Sequence, residues 1–121
     1  MNITHTYLLA ARQIESMGFS GALTNASVYL SGPSGQAGDG LPVPYRGYLT
    51  RIQVWDGATL HSDTDEIAFN ADDRISVYCQ SSGSDFTIKV RVNGSSTNLQ
   101  VAGVPFNTTL YVTVEFLLFR E

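Results

Sequence analysis

Acidic side chains form the one constellation in this sequence whose types and spacing could do chemistry. Residues 61–66 read H-S-D-T-D-E, and residues 72–73 add two further Asp. Asp63, Asp65 and Glu66 could supply carboxylate oxygens to a Ca²⁺ ion, which takes about six to eight of them. The stretch lacks the D-x-D-x-D-G spacing and the closing Glu of an EF-hand loop. We therefore interpret the whole segment as a solvated acidic loop and predict no metal site.

The other reactive residue types are isolated. His5 and His61 are far apart, neither lies in an H-x-H or H-E-x-x-H pattern, and no Cys is positioned to complete a zinc site with them. Cys79 is the single cysteine, so an intramolecular disulfide cannot form, and its place in an alternating apolar run predicts a small buried side chain. No G-x-S-x-G, G-K-[ST] or G-x-G-x-x-G motif occurs, and nothing sets the separation of a glycosidase carboxylate pair. We predict a protein that is not an enzyme and has no cofactor.

Alternating runs in the second half of the chain predict the elements that position these residues. From Arg74 onward the sequence reads R-I-S-V-Y-C-Q, D-F-T-I-K-V-R-V, N-L-Q-V and T-L-Y-V-T-V-E-F-L-L-F, with turn residues in each gap. Such alternation predicts consecutive antiparallel strands that bury one face. Asn93 and Gly94 tolerate the positive φ of a type I′ turn, so the strand after them is expected to fold back on residues 86–92.

The chain as a whole is predicted to be a single all-β domain. Seven or eight strands recur at spacings of about 8 to 12 residues, which is typical of sandwiches and barrels. The 121 residues are enough for one buried core. We predict an antiparallel β-sandwich, jelly-roll-like, with a short N-terminal arm. Residues 1–41 would hold the arm or first strands, with a helical turn at 13–17 as one option and a flexible Gly-rich loop at 31–40. Residues 42–121 would hold the main jelly-roll portion.

The same alternation predicts the core and one candidate interface. The side chains predicted to point inward from the first two of these strands are Ile75, Val77, Cys79, Phe86, Ile88, Val90 and Val92. The last run ends in an unbroken F-L-L-F, whose continuity predicts burial on both faces, in the sheet stack or under a partner subunit. The candidate assembly interface is therefore Phe116, Leu117, Leu118 and Phe119.

Composition limits the classes of partner. Charged residues make up 15% of the chain, against about 25% in typical domains, and a surface poor in charge suits either subunit contacts or a polar monomer. The net charge of −4 argues against nucleic-acid binding. No apolar run approaches the roughly 20 residues that span a bilayer. The N-terminus lacks the basic head and apolar stretch of a signal peptide, so we expect synthesis in a cytoplasm and no membrane partner.

Three aromatic residues close together in the sequence suggest a second kind of site. Trp55 ends the run Q-V-W-D-G, and Tyr45 and Tyr48 precede it. Exposed aromatic rings of this kind could stack on sugar rings. The alternative is that Trp55 closes one end of the sandwich, where its large area suits a core position.

Residues 44–121, about two-thirds of the chain, resemble the small jelly-roll domains of tailed-phage virion proteins. The resemblance lies in R-G-Y-L-T-R-I-Q-V, N-A-D-D-R-I-S-V and T-I-K-V-R-V-N-G-S-S-T-N-L-Q-V. The last of these is similar to the V-R-V-N-G-x-x-T-x-L-x-V pattern of those proteins. These motifs are structural rather than catalytic. The resemblance implies a virion part: a capsid cement or decoration protein, a head fibre, or a tail or receptor-binding piece.

The chain has no fibrous repeat that could build a shaft, which favours a decoration protein over a fibre. We therefore expect a cement protein on the capsid exterior that binds and stabilises the major capsid protein, and that self-associates as a dimer or trimer. The alternative is a tail or head-fibre module that binds carbohydrate or a receptor. It would use Tyr45, Tyr48 and Trp55 for stacking and the acidic segment for Ca²⁺.

Overall fold

The computed structural model describes residues 12–33, 35, 38 and 40–119. This part of the chain forms nine antiparallel strands and no helix, packed as two sheets, which confirms the predicted all-β antiparallel sandwich. The strands are β1 Arg12–Ala22, β2 Val28–Tyr29, β3 Leu41–Pro42, β4 Gly47–Trp55, β5 Leu60–Phe69, β6 Arg74–Ser81, β7 Phe86–Val92, β8 Ser95–Val104 and β9 Thr109–Phe119.

The strands divide between two sheets that share one core. The first sheet has the order β1-β9-β4-β5, and the second has the order β2-β6-β7-β8. The two-residue strands β2 and β3 both pair with β6 and together form a broken edge beside it. Hairpins within a sheet join β4 to β5, and β6 to β7 to β8. This order does not confirm the jelly-roll detail of the prediction.

Local turn chemistry explains the β7–β8 hairpin. Asn93 and Gly94 have φ angles of 52° and 82°, which match the two left-handed positions of a type I′ turn. The Asn93 side chain also accepts a hydrogen bond from the Arg74 N–H at 2.9 Å and donates one to Asp73 at 2.9 Å. The predicted reversal at this position is confirmed, because Val92 pairs with Ser95 directly across the turn.

The core lies between the inner faces of the two sheets. The predicted inward side chains of β6 and β7 are buried, except that Val92 is only partly buried. Cys79 is fully buried, and desolvation raises the pKa of its thiol to about 12, so it acts as a small apolar side chain. The first sheet contributes Met17, Phe19, Leu49, Ile52, Val54, Phe69, Leu110, Val112, Val114, Phe116 and Leu118 to the same core.

The N-terminal region differs from its prediction. Residues 13–17 belong to β1 and form no helical turn, because all eleven residues of β1 pair with β9 and Met17 and Phe19 enter the core. Residues 12–22 are therefore part of the first sheet, which agrees with the option of first strands in residues 1–41, and the N-terminal arm stays a prediction. Residues 1–11 lie outside the described part of the chain, and so do four residues of the predicted flexible loop at 31–40.

Candidate binding face of the first sheet

The outer face of the first sheet is the face that points away from the second sheet, and it carries most of the exposed large apolar side chains. Six such side chains are exposed in the described part of the chain, and four of them lie on this face. Their exposed fractions are 72% for Ile14, 43% for Trp55, 58% for Leu60 and 60% for Tyr111. The strand register groups them into two rows that cross the strands.

The first group, which we call the aromatic row, consists of Tyr111, Trp55 and Leu60. Trp55 on β4 pairs with Tyr111 on β9 and with Leu60 on β5. Side chains paired in this way have Cβ atoms about 4.5–5.5 Å apart, so the three form one continuous exposed strip. Trp55 therefore does not close the end of the core, and that interpretation was wrong.

A β-bulge decides the direction of Trp55. Against β9, β4 carries one extra residue, Thr50, because Leu49 pairs with Phe116 and Arg51 with the adjacent Glu115. The register against β5 also shifts here, where Asp65 and Glu66 stand opposite Thr50. Side chains alternate along a strand, and an extra residue reverses the alternation beyond it. Leu49 therefore points inward before the bulge, Ile52 and Val54 point inward after it, and Trp55 points outward.

The turn that carries the aromatic row is held by Asp56. One oxygen of its carboxylate accepts hydrogen bonds from the N–H groups of Ala58 at 2.9 Å and Thr59 at 2.7 Å. The other lies 2.8 Å from Nε2 of His61, which must donate because an ionised carboxylate can only accept. These bonds, the one from His61 first, lower the pKa of Asp56 to about 2. The β4–β5 hairpin is thus clamped beside Trp55.

The second group, which we call the apolar row, consists of Ile14, Leu117 and Tyr48. Leu117 on β9 pairs with Ile14 on β1 and with Tyr48 on β4. Phe119 lies next to this row, with its ring edge-on to Tyr48 at 5.6 Å and the guanidinium of Arg46 5.3 Å from its centre. These side chains form the apolar end of the outer face.

Within the chain the F-L-L-F run is buried on one face only, so burial of its other face under a partner subunit stays a prediction. Phe116 and Leu118 are 5% exposed and belong to the core. Leu117 and Phe119 alternate with them on the outer face and are half-buried. Of the four predicted interface residues, only Leu117 and Phe119 are therefore placed to meet another molecule.

Polar residues separate the two rows. The polar belt consists of Thr113, Gln53, Ser62, Ser16, Glu115, Arg51 and Thr64, which the register places in two successive lines across the sheet. Thr50 at the bulge donates a hydrogen bond to the Glu115 carboxylate at 3.0 Å.

The predicted stacking residues are not brought together. Tyr48 and Trp55 share the outer face but lie at opposite ends of β4, about 20 Å apart along the strand. Tyr45 precedes β4 and lines an open groove of about 290 Å³ with Met17, Pro33 and Phe116. The residues that lie beside Trp55 are Tyr111 and Leu60. Tyr111 is distant in sequence and Leu60 is aliphatic, so only their strand register with Trp55 identifies them.

The acidic segment is a strand and not a loop. Residues 61–66 belong to β5, where residues 61–64 pair with β4 in the hairpin and Asp65 and Glu66 stand at the register shift. Asp63 accepts a hydrogen bond from the Gln100 N–H at 3.2 Å, which ties β5 to β8 across the sandwich. Asp73 accepts from the Asn70 N–H and from Asn93, and these bonds lower its pKa. Within the described ranges, no group of three or more His, Cys, Asp or Glu residues could hold a metal ion.

The outer face of the second sheet also carries aromatic residues, but a cation covers them. The guanidinium of Arg91 lies 4.0 Å from the centre of the Tyr78 ring and 5.5 Å from that of Tyr29. It donates hydrogen bonds to the Tyr29 hydroxyl at 2.6 Å and to Ser96 at 3.1 Å. The two tyrosine rings contact each other at 4.8 Å. This cluster is complete within the chain.

No known protein family matches the chain, and no curated protein or solved structure matches it either. None of the described residues belongs to a helix long and apolar enough to cross a membrane.

Proposed function

We propose that the chain is a non-enzymatic structural protein of a phage particle, a cement protein that binds and stabilises the major capsid protein on the capsid exterior. The observation that carries the proposal is the apolar row, in which Ile14, Leu117 and Tyr48 stand side by side on three strands. Ile14 is 72% exposed and lies outside the core between the sheets. The phage assignment is supported by the sequence resemblance alone.

The size of this face suits docking to a protein. Four strands spaced by about 4.8 Å, each about 30 Å long, present on the order of 600 Å² before side-chain relief is counted. A standard interface buries about 800 Å² on each partner. Burial of a Leu or Ile side chain contributes about 1.5–3 kcal/mol before the costs of association are subtracted. The apolar row would form the dry centre of such an interface, and the nearer line of the polar belt, which consists of Ser16, Glu115, Arg51 and Thr64, would form part of its rim.

Binding to undecorated heads tests the proposal through two adjacent residues. Leu117→Asp places a charge on the outer face and should leave the sandwich folded while abolishing sedimentation with the heads. Leu118→Asp places the same charge in the core, where Leu118 is 5% exposed. It should lower the free energy of unfolding by about 4 kcal/mol or more and so unfold the domain. Thr87→Asp, on the outer face of the second sheet, is the matched control and should bind like the wild type. The measurements are sedimentation and the temperature at which heads disrupt.

Two results would refute the proposal. The first is wild-type chain that neither sediments with the heads nor raises their disruption temperature. The second is a folded Leu117→Asp variant that binds as tightly as the wild type, because the apolar row would then play no part.

When no capsid protein covers it, the same row provides a surface for self-association as a dimer or trimer, so the two contacts would compete. A two-fold dimer brings identical patches together, and an apolar strip at the end of a sheet is suited to this, whereas a trimer would bring the row against a different patch of the next copy. Sedimentation equilibrium should show an oligomer for the wild type and a monomer for Leu117→Asp. A monomeric wild type at high protein concentration would restrict the row to contacts with other proteins.

A further inference from the structure

The aromatic row lies at the other end of the outer face, across the polar belt from the apolar row. Trp55 and Tyr111 present aromatic surface to solvent, and Leu60 extends the strip at its β5 end. The strip crosses the three adjacent strands β9, β4 and β5, and it is about 10 Å long from β9 to β5. The strip is narrow and lies beside the β4–β5 turn.

The line of residues next to the aromatic row can form hydrogen bonds but carries no charge. The register places Thr113, Gln53 and Ser62 directly beside Tyr111, Trp55 and Leu60. Their hydroxyl and amide groups can each donate and accept. The charged residues Arg51 and Glu115 stand one line further away. A ligand that lay on both lines would meet an aromatic surface along one side and neutral polar groups along the other.

The site is also arranged before any ligand binds. Asp56 is bonded to Ala58, Thr59 and His61, and its side chain is only 5% exposed. It therefore holds the hairpin that carries Trp55 and Leu60 instead of facing a ligand. Because the hairpin that carries Trp55 and Leu60 is already ordered, the entropic cost of binding a ligand is lower.

We propose that the aromatic row and its neighbouring polar line form a binding strip for a neutral carbohydrate chain. A sugar ring has an apolar C–H face that packs on an aromatic ring, and its hydroxyl groups match the donors and acceptors of the polar line. The absence of charge in both lines favours a neutral glycan over an acidic one. This strip does not depend on the proposed capsid role, which uses the apolar row.

Affinity electrophoresis gives the direct test. The full chain is run in native gels that contain hydroxyethyl cellulose, mixed-linkage β-glucan, galactomannan or dextran, and in a plain gel. We expect retardation in at least one neutral polysaccharide. Trp55→Ala and Tyr111→Ala should each weaken binding about tenfold, and Gln53→Ala should weaken it about threefold. Tyr45→Ala removes an exposed tyrosine that lies off this face and should bind like the wild type.

Tryptophan fluorescence adds a second readout. Trp55 is the single tryptophan of the chain, so a change in emission on adding the retarding polysaccharide reports on this strip directly. The fluorescence change should persist in Leu117→Asp, which separates the strip from the apolar row. Thermal melts of each variant establish that the exposed substitutions leave the sandwich folded.

Four outcomes would overturn the proposal. The first is no retardation in any of the four neutral polysaccharides, and the second is full retardation of the double variant Trp55→Ala/Tyr111→Ala. The third is retardation only in gels that contain the acidic polysaccharide alginate. The fourth is a change in tryptophan emission that undecorated heads cause and none of the polysaccharides causes. The last result would assign the row to a protein partner.

Discussion

On the outer face of the second sheet, Tyr29 and Tyr78 are covered by Arg91, whereas on the outer face of the first sheet Trp55 and Tyr111 face solvent. Arg91 lies 4.0 Å from the Tyr78 ring and donates to the Tyr29 hydroxyl at 2.6 Å. Trp55 and Tyr111 are 43% and 60% exposed. The two faces use similar residue types, and on the first sheet Phe119 also has a cation, Arg46, over its ring, but Trp55 and Tyr111 stay exposed.

This difference separates stabilising aromatic residues from those available for binding. Where a cation lies over the rings and donates a hydrogen bond to a tyrosine hydroxyl, the cluster should contribute to folding stability. Where large apolar side chains stay exposed beside a complete core, they contribute little to folding and are better explained by a partner. The proposals above place a protein on the apolar row and a glycan on the aromatic row for this reason.

Deleting Thr50 should have the largest effect, because the bulge determines which residues of β4 face outward. Without the extra residue, either Leu49 or the pair Ile52 and Val54 must turn to solvent. The expected loss is about 4 kcal/mol or more of unfolding free energy, measured by urea denaturation with far-UV circular dichroism. Thr50→Val keeps the backbone and loses only the hydrogen bonds to Glu115, so it should cost about 1 kcal/mol. A deletion variant as stable as the wild type would show that the bulge does not set the two faces.

Removing the cation from the second sheet tests the comparison directly. Arg91→Ala should lower the free energy of unfolding by about 2 kcal/mol, because it removes the cation–π contacts and the hydrogen bond to Tyr29. Trp55→Ala on the first sheet should change the same quantity by less than about 0.5 kcal/mol. Lys89→Ala is the control for loss of a positive charge on the Arg91 face. Equal losses for Arg91→Ala and Trp55→Ala would contradict the distinction between the two faces.

A pH titration gives the smallest expected effect and concerns the clamp beside the aromatic row. The pKa of Asp56 falls from 3.8 to about 2 on folding, so its stabilising contribution is complete above pH 3.8 and is lost as the pH falls toward 2. The melting temperature of the wild type should therefore drop over this window more than that of Asp56→Asn. Thr59→Ala keeps the Asp56 carboxylate and the backbone N–H that donates to it, so it should retain the wild-type slope. Identical slopes for the wild type and Asp56→Asn would show that the hydrogen bonds to the ionised Asp56 do not stabilise the fold.

Much of the fold could be predicted from local pattern. The alternation in β6 and β7 predicted the buried set that includes Ile75 and Ile88, and Asn93-Gly94 predicted the turn after β7. Residues 61–66 were misread as a loop because acidic residues are uncommon in strands, and here pairing with β4 outweighs that preference. Residues 13–17 were misread because a short mixed segment is compatible with a helical turn until its pairing with β9 is known.

The sequence by itself determined the strand class, the strong turns and the inward residues wherever alternation ran without interruption, because those features depend on neighbours in the chain. Only the tertiary structure decided which side chains share the outer face. The bulge at Thr50 turns Trp55 outward, and the pairing of β4 with β9 and β5 places Tyr111 and Leu60 beside it. Both depend on contacts between strands distant in sequence, since one extra residue reverses every side chain beyond it.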